Sequence, residues 1–226
     1  MKPLLRKCCA LGLLMGMGLS GSAQAWEAGD WLVRLRGLHI DPSADSDPIN
    51  APALGGAVPG SEVDVDTSTV PELDITYMWT KHIGTELVLA VSENTISAAG
   101  TASDLGDVAD VWLLPPSLTV QYHFLPDSRF SPYIGAGVNW TVFFSEDLDS
   151  NFSNPGDSID LENSFSYVFQ AGFDVKLDND WFINLDVKYI DLNTEATIRN
   201  SSAGDIFVDD VDIDPWTFGF GIGKRF

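Results

Sequence analysis

Cysteine is nearly absent. Cys8 and Cys9 are the only two in 226 residues, and both fall in a short segment that carries a secretory signature. Lys2, Arg6 and Lys7 precede an apolar run over residues 10–19, and small residues then lead to Ala23-Gln24-Ala25. That order predicts a signal peptide over 1–25, cleaved before Trp26. Its apolar core is too short to span a bilayer, and the cysteines precede that core, which argues against a lipid-anchored cysteine. The expected product, one domain over 26–226, has no thiol chemistry, no disulfide and no cysteine metal site.

Basic residues are also scarce. Cleavage before Trp26 removes three of the twelve and none of the 33 acids, taking the formal charge from −21 to −24. A chain so acidic excludes nucleic acid as a partner. The acids are grouped: segments 41–69, 92–111, 145–163 and 191–214 hold 23 of the 33 and a single basic residue, Arg199. Acidity with little apolar content would predict disorder, but 45% of the residues are hydrophobic and 11% aromatic. The apolar residues are therefore concentrated between the acidic segments.

Catalytic and cofactor signatures are missing as well. There is no HExxH and no GxSxG, and His39, His82 and His123 stand on separate segments, so no enzyme, cofactor or metal site is read. "GFGIGK" near the end has a misplaced first glycine and no Ser or Thr after Lys224, so it is not a phosphate loop. Asp147, Asp149 and Asn151 are spaced like the start of a calcium loop. Phe152 stands where glycine is needed and Ser158 where glutamate is needed, which leaves a solvated acidic loop.

What the chain has in quantity is alternation. Eight segments, beginning near residues 31, 72, 83, 114, 133, 166, 181 and 216, place apolar side chains at every second position. Short connections (80–82, 125–132, 178–180) alternate with the four long acidic ones, which predicts an all-β, eight-stranded antiparallel up-and-down meander. A soluble barrel with the apolar face inward would show the same period. Three features favour a transmembrane barrel instead. The segments are about ten residues long, enough for a tilted strand to cross hydrocarbon. Trp31, Tyr77, Trp79, Tyr122, Trp181 and Tyr189 lie near segment ends on the apolar face, where membrane barrels carry aromatic girdles. The opposite face is often charged, and closure removes the apolar edge that "WTFGFGIGKRF" would otherwise expose.

The stretches "AGDWLVRLRGLHIDP", "LLPPSLTVQYHF", "SPYIGAGVNWT", "NLDVKYIDLNTEA" and "DPWTFGFGIGKRF" resemble the outer membrane protein W (OmpW) family over essentially the whole chain after residue 25. The resemblance implies an eight-stranded barrel of the Gram-negative outer membrane, associated with passage of small hydrophobic molecules. It also implies that the terminal Phe226 acts as the signal read by the barrel-insertion machinery.

Tracking strand direction divides the inward positions. Arg34, Arg36, Glu86, His123, Asp174, Lys176, Asp186 and Arg225 fall in the turn-side half or near the middle and are expected to pair as a polar plug. Leu38, Ile40, Val88, Phe143, Val168 and Ile190 fall on the loop side and are expected to form an apolar pocket. Pro115 and Pro116 open the fourth segment without ladder donors and mark a candidate lateral gap, or simply the end of a strand at the rim. Pro71 and Pro215 repeat the feature at the starts of segments two and eight. Expected partners are outer-membrane lipid, lipopolysaccharide and small hydrophobic solutes. The competing reading is a structural or surface-interaction barrel whose loops contact lipopolysaccharide, host or phage.

Overall fold

The computed structural model describes residues 25–150, 153–202 and 204–226. The predicted leader, Ala25 excepted, and the Asn151–Phe152 pair of the calcium-like spacing lie outside the described residues. Eight strands form the barrel: β1 (Trp31–Asp41), β2 (Ser68–Met78), β3 (Ile83–Ala90), β4 (Ser117–His123), β5 (Phe130–Leu148), β6 (Ser164–Lys176), β7 (Trp181–Asp191) and β8 (Trp216–Arg225). Each pairs antiparallel with the next, and β8 returns to β1 in a register running from Leu32 opposite Arg225 to Asp41 opposite Trp216. The terminal strand thus has no free edge. Among the described residues no helix is long and apolar enough to cross a membrane; the crossing elements are the strands.

Inner and outer faces follow the alternation. Along β1, Leu32, Arg34, Arg36 and Leu38 are buried while Trp31 and Leu35 are exposed. The exposed face is apolar: Val120 is 56%, Phe169 55% and Phe220 62% accessible. A continuous surface of that kind has lipid as its solvent. A spin label at Val120 or Leu185 is expected to be relaxed by oxygen dissolved in acyl chains and shielded from a water-soluble nickel chelate. The reverse ranking would mean that the face is wet.

Aromatic side chains gather at the two ends of this band. At the turn side Tyr77 packs between Trp31 and Trp79, with ring centroids at 4.9 and 4.7 Å, and Tyr122 stacks on His82 at 5.6 Å. Trp181 lies beneath Lys224. Tyr189 is the one predicted rim residue at the opposite end, where it meets Trp216 at 5.3 Å. The 178–180 turn carries Asn179 and Asp180 at φ of 58° and 64°, the left-handed conformation that these side chains tolerate.

Three expectations change. The long acidic segments are largely strands, because aliphatic residues alternate inward there while the acids point out. Ser61–Val65, Ser92–Gly100 and Asp107–Leu114 pair with one another and with the end of β5. Ser158–Leu161, Asn193–Asn200 and Gly204–Asp212 form a second sheet. Together they continue the wall as a cap. At its margin Asp157 accepts backbone N–H groups of Asn154 at 3.0 Å and Ser201 at 2.8 Å, which hold its carboxyl at about 2. The fourth segment does not run through its prolines: Asp107–Leu114 and β4 are separate strands divided by Pro115 and Pro116. Finally, β2 begins at Ser68, so Pro71 stands inside it, opposite Gly37 and one position beyond the last β2–β3 pair, Glu72 opposite Ala90. On that side no ladder donor is required of it.

Candidate functional site: an apolar cavity above an ion-paired floor

Seven of the eight strands send a polar side chain to the barrel centre, and β8 makes room for them. Arg34 (β1) pairs with Asp174 (β6) at 3.1 Å and Glu86 (β3) at 3.2 Å, and donates to Thr76 at 2.6 Å. Arg36 pairs with Glu72 at 2.6 Å and Asp74 at 2.5 Å, both on β2, and donates to Asn184 (β7) at 2.8 Å. Lys188 (β7) pairs with Asp186 at 2.5 Å and Glu72 at 3.6 Å. The Tyr133 hydroxyl (β5) donates to Asp186 at 2.7 Å, and Gln170 (β6) bridges Glu86 and Thr119 (β4) at 3.1 and 2.9 Å. A Cβ on Gly219 would lie 3.2 Å from Arg36 Cδ, so the thin glycine wall of β8 is what admits that guanidinium.

All of these charges are essentially inaccessible to water. Removing an ion from water costs several kcal/mol, and here the cost is offset by short, multiply bonded, charge-assisted contacts. The floor therefore resists passage straight down the lumen. Below it, Trp26, Leu32, Met78 and Phe182 form a buried apolar seal, with Trp26 edge-on to Phe182 at 5.3 Å.

The predicted plug is divided between two places. Arg34, Arg36, Glu86, Asp174 and Asp186 join the floor. His123 is buried but makes no ion pair, lying 3.2 Å from Gln121 Oε1. Lys176 donates to the Pro126 carbonyl and sits 4.1 Å over the Trp26 ring. Arg225 pairs with Asp180 at 2.5 Å and Asp30 at 3.5 Å and donates to the Ala25 carbonyl at 2.7 Å. Both cations sit at the ends of their strands, so their side chains close the turn-side mouth instead of the centre. Glu72, Asp74 and Lys188 were missed as floor residues. They do occupy inward positions of the period-two pattern, which is the signal that could have found them.

Above the floor lies a cavity whose walls include Leu38, Ile40, Val88 and Ile190, with Glu72 and Lys188 beneath. Phe143 and Val168, expected in the same pocket, are elsewhere. Phe143 packs with Val111, Ile159 and Leu161 in the cap, and Val168 packs behind Ile190 against Leu192 and Val211. Val65, Leu113, Leu192 and Ile213 take their places, drawn from segments that read as loops. A second cavity lies within the cap and shares Val65 and Ile213 with the first. Among the described residues no group of three or more His, Cys, Asp or Glu side chains is arranged to hold a metal.

The wall beside the lower cavity is interrupted. Between β3 and the chain opposite, ladder pairing stops at Val88 opposite Ser117 and resumes only at Ser92 opposite Leu113. Pro115, which also lines the cavity, and Pro116 occupy the break. Their carbonyls are served from the other side, by Asn139 Nδ2 at 3.0 Å and the Trp140 amide at 3.0 Å. Leu89, Ala90 and Val91 have no ladder partner across the gap.

A closed eight-stranded barrel, apolar outside, with a sealed ionic floor and an apolar chamber toward the loops, defines an outer-membrane β-barrel of the narrow class. The chain belongs to the OmpW family, whose profile matches residues 27–226. It is 34% identical to outer membrane protein W of Escherichia coli (strain K12) over 225 residues, covering 98% of this chain and all of that one. The crystal structure of outer membrane protein OprG from Pseudomonas aeruginosa superposes with a TM-score of 0.83 at 36% identity, over 89% of this chain and 98% of that one. A more distant relative, 25% identical over 177 residues (76% of this chain, 78% of its own), is the dibenzothiophene metabolism operon protein PahQ of Pseudomonas aeruginosa. The protein is accordingly an outer-membrane protein of a Gram-negative bacterium.

Proposed function

We propose that this barrel is a non-catalytic passage for small apolar molecules, which enter from the outer surface through the cap, lodge above the floor and leave sideways into the bilayer. The observation that carries the reading is the coincidence of three things: an apolar cavity, an ion-paired floor that blocks the way down, and a break in the wall at Pro115 and Pro116 beside the cavity. Burial of an apolar solute yields about 25 cal/mol per Å², while moving it through the floor would strip charges of their partners. The sideways path requires no such step. That PahQ is named for a metabolic operon acting on dibenzothiophene, an apolar aromatic compound, agrees with the same substrate class.

The surfaces support the proposed partners. Outer-membrane lipid covers the apolar exterior, lipopolysaccharide surrounds the outer rim, and the exposed Phe226 is the group read by the insertion machinery. Reconstituted into vesicles, the barrel is expected to speed passage of an apolar solute and not of a polar solute of equal size; equal effects on both would remove the uptake reading. Replacing Pro115 and Pro116 together with Val restores two ladder donors and is expected to slow apolar uptake about tenfold. Unchanged uptake in that variant would remove the lateral exit alone.

A further inference from the structure

We infer that the cavity above the floor is built for apolar molecules that carry one hydroxyl group, an alkanol or a phenol, in preference to plain hydrocarbons. The inference rests on the reading that this cavity takes up apolar molecules, and it names their chemistry more narrowly. Among the buried polar groups lining the cavity are Ser92, Asn94 and Thr217, with exposures of 1%, 6% and 3%. Ser92 Oγ, Asn94 Oδ1 and Thr217 Oγ1 have no hydrogen-bond partner among the described residues. The Asn94 amide is oriented by its other end, because Nδ2 donates to the Asp66 carbonyl at 2.9 Å. The oxygen is therefore left as a free acceptor. Ser92 and Asn94 stand two apart on the strand Ser92–Gly100, so both side chains point inward.

The contrast with the cap cavity is informative. Its one polar lining group, the Thr194 hydroxyl, donates to the Glu162 carbonyl at 2.7 Å, and its remaining walls are aliphatic. Unpartnered groups belong to the lower chamber and not to the upper one. A ligand hydroxyl can donate to Asn94 Oδ1 and accept from Ser92 or Thr217. A hydrocarbon in the same place would leave these buried groups with nothing to bond, which is the situation in which a polar site rejects an analogue lacking its hydroxyl. A carboxylate is disfavoured for a different reason. The floor already sets Glu72, Asp74, Glu86, Asp174 and Asp186 against only Arg34, Arg36 and Lys188, so a further anion above it would be repelled.

The test compares 2-naphthol with naphthalene, two probes that share one ring system, for binding to the intact barrel in lipid nanodiscs over their partition into empty nanodiscs. With each hydrogen bond contributing about fivefold, 2-naphthol is expected to bind at least tenfold tighter. Asn94→Leu and Ser92→Ala are each expected to reduce that preference about fivefold, while migration as folded barrel on unheated gels shows that the variants are folded. Equal binding of the two probes, or a preference that survives in the Asn94→Leu/Ser92→Ala double variant, would overturn the assignment. Preferential 2-naphthol binding without delivery into vesicles would support the assignment and sink the uptake reading. Absence of binding by either probe would overturn both.

Discussion

Arg36→Met is expected to destabilise the barrel by about 3–5 kcal/mol, the cost of leaving buried charges without their partner. Among the described residues Arg36 is the single cation within 3 Å of both Glu72 and Asp74, and its removal strands two carboxylates on adjacent inward positions of β2. Lys188 lies 3.6 Å from Glu72 but is already committed to Asp186 at 2.5 Å, so it does not substitute. The measurement is urea unfolding in lipid vesicles, followed by tryptophan fluorescence at neutral pH. The informative control is the triple variant Arg36→Met, Glu72→Leu, Asp74→Leu, which removes the stranded charges with the cation. Its stability should return to within about 1–2 kcal/mol of the parent, since apolar replacement of a whole buried ion cluster is often neutral. A stable Arg36→Met single variant would mean that the floor is wet and screened, and the blocked lumen would lose its physical basis.

Gly221→Ala should be nearly as damaging, at about 3 kcal/mol. A Cβ at that position would lie 2.1 Å from the Leu35 carbonyl oxygen and 2.6 Å from Arg36 Cα. Both are backbone atoms of β1, so the clash is relieved only if the β8–β1 seam opens, and overpacking against a rigid neighbour costs in this range. Gly37→Ala on the other side of the seam is the matched control. Its Cβ would point outward and meet nothing closer than 4.0 Å, so a change within about 0.5 kcal/mol is expected. Comparing the fraction of each variant that migrates as folded barrel on unheated gels, alongside urea midpoints, separates the two. Equal behaviour of the pair would show that β8 does not approach β1 as closely as the register implies.

How far these features could be read beforehand differs by element. The eight barrel strands were legible because every second residue is apolar over eight or more positions, as in Leu73, Ile75, Tyr77 and Trp79, while the intervening Glu72, Asp74 and Thr76 are polar. The cap strands were not. In Ser158–Leu161 and Asn193–Asn200 the inward aliphatics are few and the outward residues are polar or charged, so the composition signals loop more strongly than the period signals strand. The same masking hid Val65, Leu192 and Ile213 from the expected pocket and left Phe143 and Val168 in it. Placement along a strand was legible and partnership across the barrel was not. Lys176 and Arg225 were assigned to the plug by depth alone, and the strand-end positions that send them to Trp26 and Asp180 depend on where the turns lie.

By itself the amino-acid sequence determined the eight-strand meander, its closure, the lipid-facing side and the ionic character of the interior, because each depends on a local alternation that any strand must express. Only the tertiary structure decided which charges meet, where the wall is unpaired and which polar groups are left without partners. Arg34 and Asp174 are separated by 140 residues, and no local pattern encodes a distance across a closed barrel. Strand number, tilt and register together set it.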